Sequence, residues 1–368
     1  MDKIKYAVVG AGVIGLSVAY ELSGRSDGDI AVFEKNTGFG EETSSRNSEV
    51  VHAGIYYPKG SLKSRLCMEG NKLLYDFCDK NGVEHKKCGK LIVAVDGREA
   101  ARLEDIYNNA VSMGVKGLDL IGPDEIRNIE PSVLAVKAIY SRTTGIIDSH
   151  GLMERLYELS VQRRVIFSFG NQVAGINKCN GGYIIRTSAG DELFAEKVVN
   201  CAGLYSDKVA EIAGLDADIT GYRQHFCKGD YFSVSAAVGE LSHLVYPVPD
   251  VKGHGLGIHA TIDLSGRIRL GPDADYVEHI NYYVDPAKRD YFYEKAKRML
   301  PQLKKELLVP DTTGVRPKLH GPNDNVRDFV IKEESDRGFK GFVNLVGIES
   351  PGLTSCLSIG RYAARLID

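Results

Sequence analysis

The chain has 368 residues, long enough for two domains, and 43% hydrophobic side chains to fill a sizeable core. A formal net charge of -3 gives no electrostatic reason to bind nucleic acid. Seven cysteines (Cys67, Cys78, Cys88, Cys179, Cys201, Cys227, Cys356) are scattered, odd in number and free of any CxxC, which argues against a disulfide framework or zinc site and for a reducing, cytoplasmic setting.

Residues 6–9 read as a buried strand that runs into Gly10-Ala11-Gly12-Val13-Ile14-Gly15, a helix start and a second apolar run, residues 30–33, ending on Glu34. In such a unit the first glycine makes the turn and the second admits a pyrophosphate. The third lets helix and strand pack closely, and free N–H groups at the helix start face the phosphates. Glu34 then stands at the tip of the second strand, about 20 residues past the motif, where a carboxylate accepts both hydroxyls of an adenosine ribose. Strand, glycine spacing, helix and acid agree, so a dinucleotide site is expected here rather than a chance glycine turn. Lys3 and Lys5 ahead of an apolar run imitate a signal peptide, but no small-residue cleavage site follows in Glu21-Leu22-Ser23-Gly24-Arg25. The run is also shorter than the roughly 20 apolar residues that cross a bilayer. No transmembrane segment is expected; peripheral membrane contact stays open.

A polar loop over residues 36–48 carries Thr43-Ser44-Ser45-Arg46-Asn47-Ser48. These groups suit phosphate binding and the positioning of a ring, or an ordinary surface loop with a helix cap. A helix is predicted over 61–81 from the spacing of Leu62, Leu66, Leu73, Leu74 and Phe77. Residues 89–95 read as a strand, 98–113 as a polar-faced helix, and Pro123 opens a short helix. After a helix over 149–162, turns at Asn180-Gly181-Gly182 and Ala189-Gly190-Asp191 divide residues 165–199 into a three-stranded meander. That segment closes on Asn200-Cys201-Ala202-Gly203, small residues suited to something large lying against a strand tip. Residues 215–285 read as mostly β with long loops, including 244–249 and Gly255-Leu256-Gly257-Ile258-His259. Asp285-Pro286 then caps an amphipathic helix with Tyr291, Phe292, Ala296 and Met299 on one face, stopped by Pro301. Thr312-Thr313-Gly314-Val315-Arg316-Pro317-Lys318 follows, then a strand over 341–346, a second glycine turn over 347–354 and a closing helix over 355–366.

Together these segments resemble the FAD-dependent oxidoreductases of the D-amino-acid oxidase superfamily across essentially the whole chain. The matching residues are 10–15, Glu34, 43–48, His52-Ala53-Gly54, 200–203, Gly314-Val315-Arg316 and 347–354. Within that superfamily, residues 47–57, Gly60-Ser61-Leu62-Lys63 and Cys88-Gly89-Lys90-Leu91 look most like the L-2-hydroxyglutarate dehydrogenase/oxidase branch. The chain departs from it at Ser45-Arg46-Asn47-Ser48-Glu49 (Gly-His-Asn-Ser-Gly in the branch), at Pro317-Lys318 (Ala-Gln) and at residues 347–352 (an asparagine-rich turn). These departures fall near the expected flavin ring and bear on the substrate more than on the chemistry.

The resemblance implies an α/β fold, α+β overall. A Rossmann-like FAD-binding domain with a parallel central sheet and a β-meander is interleaved with a mostly antiparallel β substrate domain. The expected division is 1–85, 146–215 and 311–368 for the first, and 86–145 and 216–310 for the second. It implies FAD rather than NAD, held without a covalent link. The cofactor residues would be Gly10, Gly12, Val13, Ile14, Gly15, Glu34, Lys35, Thr43, Ser44, Ser45, Arg46, Asn47, Ser48, His52, Val173, Cys201, Ala202, Gly203, Arg316, Glu349, Ser350, Pro351, Gly352, Leu353 and Thr354.

Oxidation of a 2-hydroxy acid, foremost L-2-hydroxyglutarate to 2-oxoglutarate, needs a base for the hydroxyl proton, a clamp for the carboxylate and an acceptor for the hydride from C2. Arg316 is the candidate clamp, with a structural ion pair as its plain alternative. His259 is the first choice of base, because an imidazole is partly neutral at working pH. His52 is open between contacting ring or substrate, sharing the base role and attaching to the flavin. Lys228 and Lys318 are candidates for a distal carboxylate, and Tyr57 and Tyr246 for substrate contacts. Amine, amino-acid or glycerol 3-phosphate oxidation, and a non-catalytic FAD-binding module, are the competing readings on the same fold. Oxygen, a quinone and a carrier protein are all compatible electron acceptors.

Overall fold

The glycine turn joins the strand Asp2–Val9 to the helix Val13–Ser23, and the strand Ile30–Phe33 returns parallel to the first, Tyr6 opposite Ile30 and Val9 opposite Phe33. Strands covered on both faces must be apolar throughout, and all four residues of Ile30–Phe33 are buried, as are the last four of Asp2–Val9. The computed structural model describes the chain except residues 27, 236–240, 250–256 and 368; Gly255 and Leu256 of the predicted β segment therefore lie outside the described residues. The first sheet runs Ile166–Ser168, Ile30–Phe33, Asp2–Val9, Glu192–Asn200, Phe339–Val346, with every junction parallel. Val330–Glu334 closes its edge antiparallel. Glu192–Asn200 changes partner halfway. Its first half pairs with Gly182–Thr187, and that strand with Val173–Cys179, giving the meander expected from the two glycine turns.

The closing helix Gly352–Ile367 packs against both Val13–Ser23 and Leu62–Asn81 over this sheet. Their approach is close enough that a Cβ on Gly70 would meet Thr354 O at 2.4 Å, and one on Gly360 would meet Ser17 O at 2.7 Å. Helix Leu62–Asn81 begins where predicted, with Ser61 accepting the Ser64 N–H as its cap.

Among the described residues, a second sheet of nine strands is antiparallel except where Leu244–Pro247 lies parallel to Lys90–Ala94. In it Leu308–Lys318 pairs with His225–Val234 along its whole length, which brings Arg316 and Lys318 to the seam between the sheets. The helices Gly97–Ser112 and Arg289–Ala296 contribute Leu103, Ala110, Phe292 and Ala296 to its core. One expectation fails here: Phe292, Ala296 and Met299 are buried, but Tyr291 is 48% exposed. At about 3.6 residues per turn, 292 and 296 share a face and 291 points about a quarter-turn or more away from it, while 299 lies beyond the helix end at Ala296. Among the described residues, no helix is long and apolar enough to cross a membrane.

Candidate active site

The glycine turn is shaped by contact. Gly10 has φ 102°, and a Cβ on Gly15 would stand 1.9 Å from Gly10 O, so the helix start is pressed onto the strand tip. Gly12 caps the helix without a side-chain bond, and Val13 N donates to Ser44 Oγ at 3.0 Å. The Glu34 carboxylate accepts from Ala11 N at 2.8 Å and Asn36 N at 2.9 Å, fixing the turn against the second strand. From this turn a cavity of about 520 Å³ is lined by Gly12, Val13, Ile14, Thr43, Ser44, Arg46, Asn47, Ser48, His52, Cys201, Gly203 and residues 348–353. Its other walls are Tyr56, Tyr57, Lys63, Tyr231, Tyr246, His259, Asp273, Arg316 and Lys318.

The loop after Glu34 is tied down. Thr43 donates to Val315 O at 3.0 Å, Asn47 Nδ2 donates to Ser44 O at 2.6 Å, and the hydroxyls of Ser48 and Tyr231 are 2.8 Å apart. The Arg46 guanidinium lies 3.9 Å over the Tyr282 ring, with its Nε buried and without a hydrogen-bond partner. Some expected cofactor residues support the wall rather than form it. Gly10 and Gly15 underlie the turn, and Lys35 pairs with Glu42 at 2.8 Å. Ser45 bonds Glu42 O, Val173 is buried in a core with Val9 and Phe33, and Ala202 N donates to Asn200 Oδ1. Thr354 Oγ1 accepts the His52 N–H at 2.9 Å and so positions His52.

At the far end His259 stacks on Tyr246, with ring centroids 3.8 Å apart and planes 13° apart. Its Nδ1 is 3.0 Å from Gly257 O; a carbonyl only accepts, so Nδ1 carries the hydrogen and Nε2 is left as the acceptor. Burial, reinforced by the charges of Lys90 and Arg316, pushes His259 down to about 3 despite the Gly257 bond. Burial, then Lys90 and His259, also drives His52 well below the usual histidine range. Both imidazoles are therefore neutral near pH 7. Half-buried Arg316 donates to Asp273 O at 3.0 Å. Asp273 is itself fixed, since Oδ1 accepts from Asp230 N at 2.7 Å and Oδ2 from Lys288 Nζ at 2.7 Å.

Of the proposed substrate contacts, Tyr57, Tyr246 and Lys318 reach the cavity and Lys228 does not. Cys227 stands opposite Arg316 in the strand pair and its Sγ lies 3.7 Å from Nη2, so Lys228, one residue along, faces the other side. Its ammonium is held by Asn281 Oδ1 at 2.9 Å and Tyr283 O. Sequence reasoning missed Lys63, Tyr231, Asp273 and Lys90. Lys90 had a visible signal, a charge heading an apolar strand. It is 1% exposed, its ammonium lies 5.1 Å from the Tyr56 ring and 4.6 Å from the Tyr246 ring, and burial lowers it to about 8.

These residues fit a flavin dinucleotide. The helix start meets the cavity at Gly12 and Val13, with the Val13 N–H on Ser44 Oγ, a Cβ on Gly12 would come within 2.9 Å of that Oγ, and the wall continues to a second helix start at Gly352–Ile367. A family model described as FAD dependent oxidoreductase matches residues 5–366. The chain is 36% identical to a mitochondrial L-2-hydroxyglutarate dehydrogenase of Arabidopsis thaliana, over 99% of this chain and 83% of that protein. It is 31% identical to a glycerol 3-phosphate dehydrogenase of Caloramator mitchellensis, over 98% and 73%. The structure of L-alpha-glycerophosphate oxidase from Mycoplasma pneumoniae with FAD bound superposes with a TM-score of 0.88 at 27% identity, covering 100% of this chain and 95% of that one. The matched family model, the sequence relatives and the cavity built on the glycine turn agree: this chain belongs to the FAD-dependent oxidoreductases of the D-amino-acid oxidase family.

Proposed function

We propose that the chain oxidises a small L-2-hydroxy acid, foremost L-2-hydroxyglutarate, to the 2-oxo acid. The observation that carries this reading is one cavity lined by both a half-buried, anchored guanidinium, Arg316, and a neutral imidazole, His259, whose Nε2 is free to accept. Arg316 grips the C1 carboxylate through its planar fork, and Asp273 O keeps that fork from turning. His259 Nε2 takes the hydroxyl proton while Tyr246 fixes the plane of the ring. Bound in this cavity, FAD would supply the acceptor for the hydride from C2. The substrate thus gives up one proton and one hydride, and its C–O bond becomes a carbonyl. Gly12, Val13 and Ser44 would hold the pyrophosphate and Glu34 the ribose. His52, held through its backbone by Thr354, would contact the ring without a covalent bond; acid-denatured protein that keeps its yellow colour would contradict this.

Glycerol 3-phosphate is the second reading, favoured by the Caloramator relative and the Mycoplasma structure. An assay with an artificial electron acceptor separates the two. L-2-hydroxy acids should exceed glycerol 3-phosphate and matched amino acids by at least tenfold in kcat/KM, and the reverse order would overturn the proposal. We also propose a reducing, cytoplasmic setting, supported by seven unpaired cysteines. Recovery of the protein only in a salt-resistant membrane fraction would count against it.

A further inference from the structure

Arg316 and Lys318 lie two residues apart on one strand and both line the cavity, so they share a face and are about 6.8 Å apart along the backbone. The two carboxylates of a short dicarboxylic acid can span that separation. Lys318 Nζ is 3.6 Å from Glu349 Oε2, and Glu349 Oε1 accepts a 2.8 Å bond from Lys63 Nζ. None of the three side chains is more than 8% exposed, and all three line the cavity. Two ammonium groups thus stand against one carboxylate in the same cavity as Arg316. Burying three charges is costly, and an apolar cluster of similar volume would serve packing as well or better, so stability alone does not account for them. Burial opposes the charge on Glu349, but Lys63, Lys318 and Arg316 more than offset it and hold the carboxyl below its usual range.

We propose that Lys63, Glu349 and Lys318 form a second-anion subsite that takes the far carboxylate of a dicarboxylic 2-hydroxy acid while Arg316 holds the near one. This rests on the hydroxy-acid reading above and narrows it. Cationic groups at both positions, the Arg316 guanidinium and the Lys63 and Lys318 ammonium groups, match a carboxylate at each end. A phosphate monoester places both its negative charges at one end and none at the other, and Glu349 repels the second. The departures from the related branch at Lys318 and Glu349 are thereby one paired feature, closed by Lys63 from a distant segment.

Calorimetric binding to the FAD-loaded protein tests this with glutarate and butyrate, neither of which has a hydroxyl to oxidise. The unmodified protein should bind glutarate at least tenfold more tightly than butyrate. Lys318→Gln, which leaves the 2.8 Å Lys63–Glu349 bond in place, should cost glutarate about ten- to hundredfold and bring the ratio toward one. Equal binding of the two acids to the unmodified protein, or an unchanged ratio in Lys318→Gln, overturns the subsite while leaving the hydroxy-acid reading intact. Binding of glycerol 3-phosphate with no binding of either acid overturns both.

Discussion

Tyr246 lies face to face on His259 at 3.8 Å, and the Lys90 ammonium stands 4.6 Å from the centre of the same tyrosine ring. The tyrosine contacts both groups, and its stacking sets the plane of the proposed base. Tyr246→Phe keeps the stacking face and should leave kcat within about threefold. Tyr246→Ala frees the imidazole, and a base misplaced by about 1 Å costs on the order of a hundredfold in kcat. The same variant should lose about 3–5 kcal/mol of stability, as for other buried aromatic truncations. Kinetics and thermal unfolding on both variants check this.

The pH profile is the second test. A base works only when unprotonated, so activity falls as pH drops through its pKa. With His259 held near 3 by burial and by Lys90 and Arg316, kcat/KM should show no acid limb near the ordinary histidine value of 6.5. Lys90→Met removes one of the charges acting on both His259 and His52, so an acid limb should move upward toward neutral pH. Stability follows the same sign. Between pH 6.5 and about 3 the unfolded chain takes up a proton that folded His259 refuses, so stability falls as pH is lowered through that window.

Arg316 offers a third. Arg316→Lys keeps a charge but loses the planar fork, and Arg316→Ala loses both. KM for the hydroxy acid should rise about tenfold in the first and a hundredfold or more in the second, as expected for a charge-assisted pair. Flavin absorbance per mole of protein should stay unchanged in both. An unchanged KM would remove Arg316 from the substrate site.

Gly15→Ala addresses the cofactor end. The new methyl group would stand 1.9 Å from Gly10 O, against backbone that has no room to yield, so the turn must open. The expected cost is at least about 1–3 kcal/mol, with a lower flavin-to-protein ratio after purification. Full flavin occupancy at unchanged stability would contradict the contact.

The glycine turn, its flanking strands and Glu34 were legible in the sequence because their spacing is local and each residue type has one physical use there. Helix Leu62–Asn81 and the meander were legible for the same reason, through periodicity, a serine cap and glycine turns. Cross-strand register was not. Nothing in residues 225–234 says that Cys227 rather than Lys228 shares the face of Arg316, since one step along a strand reverses every side chain. Nor does any local pattern join Lys63 to Glu349, which are 286 residues apart and meet only because the helix Leu62–Asn81 packs beside the closing helix. Asp273 and Tyr231 sit in loop and strand without a distinguishing neighbour, and their roles follow from what they touch in the folded chain.

The most direct measurement is an anaerobic absorbance titration of the purified yellow protein with L-2-hydroxyglutarate, with the D-enantiomer as control. Stoichiometric bleaching by the L-form alone is the predicted result, and it would fix reaction type and handedness together. Flavin that stays oxidised with both enantiomers but bleaches with glycerol 3-phosphate or an amino acid would contradict the assignment of Arg316 and His259 to a hydroxy acid.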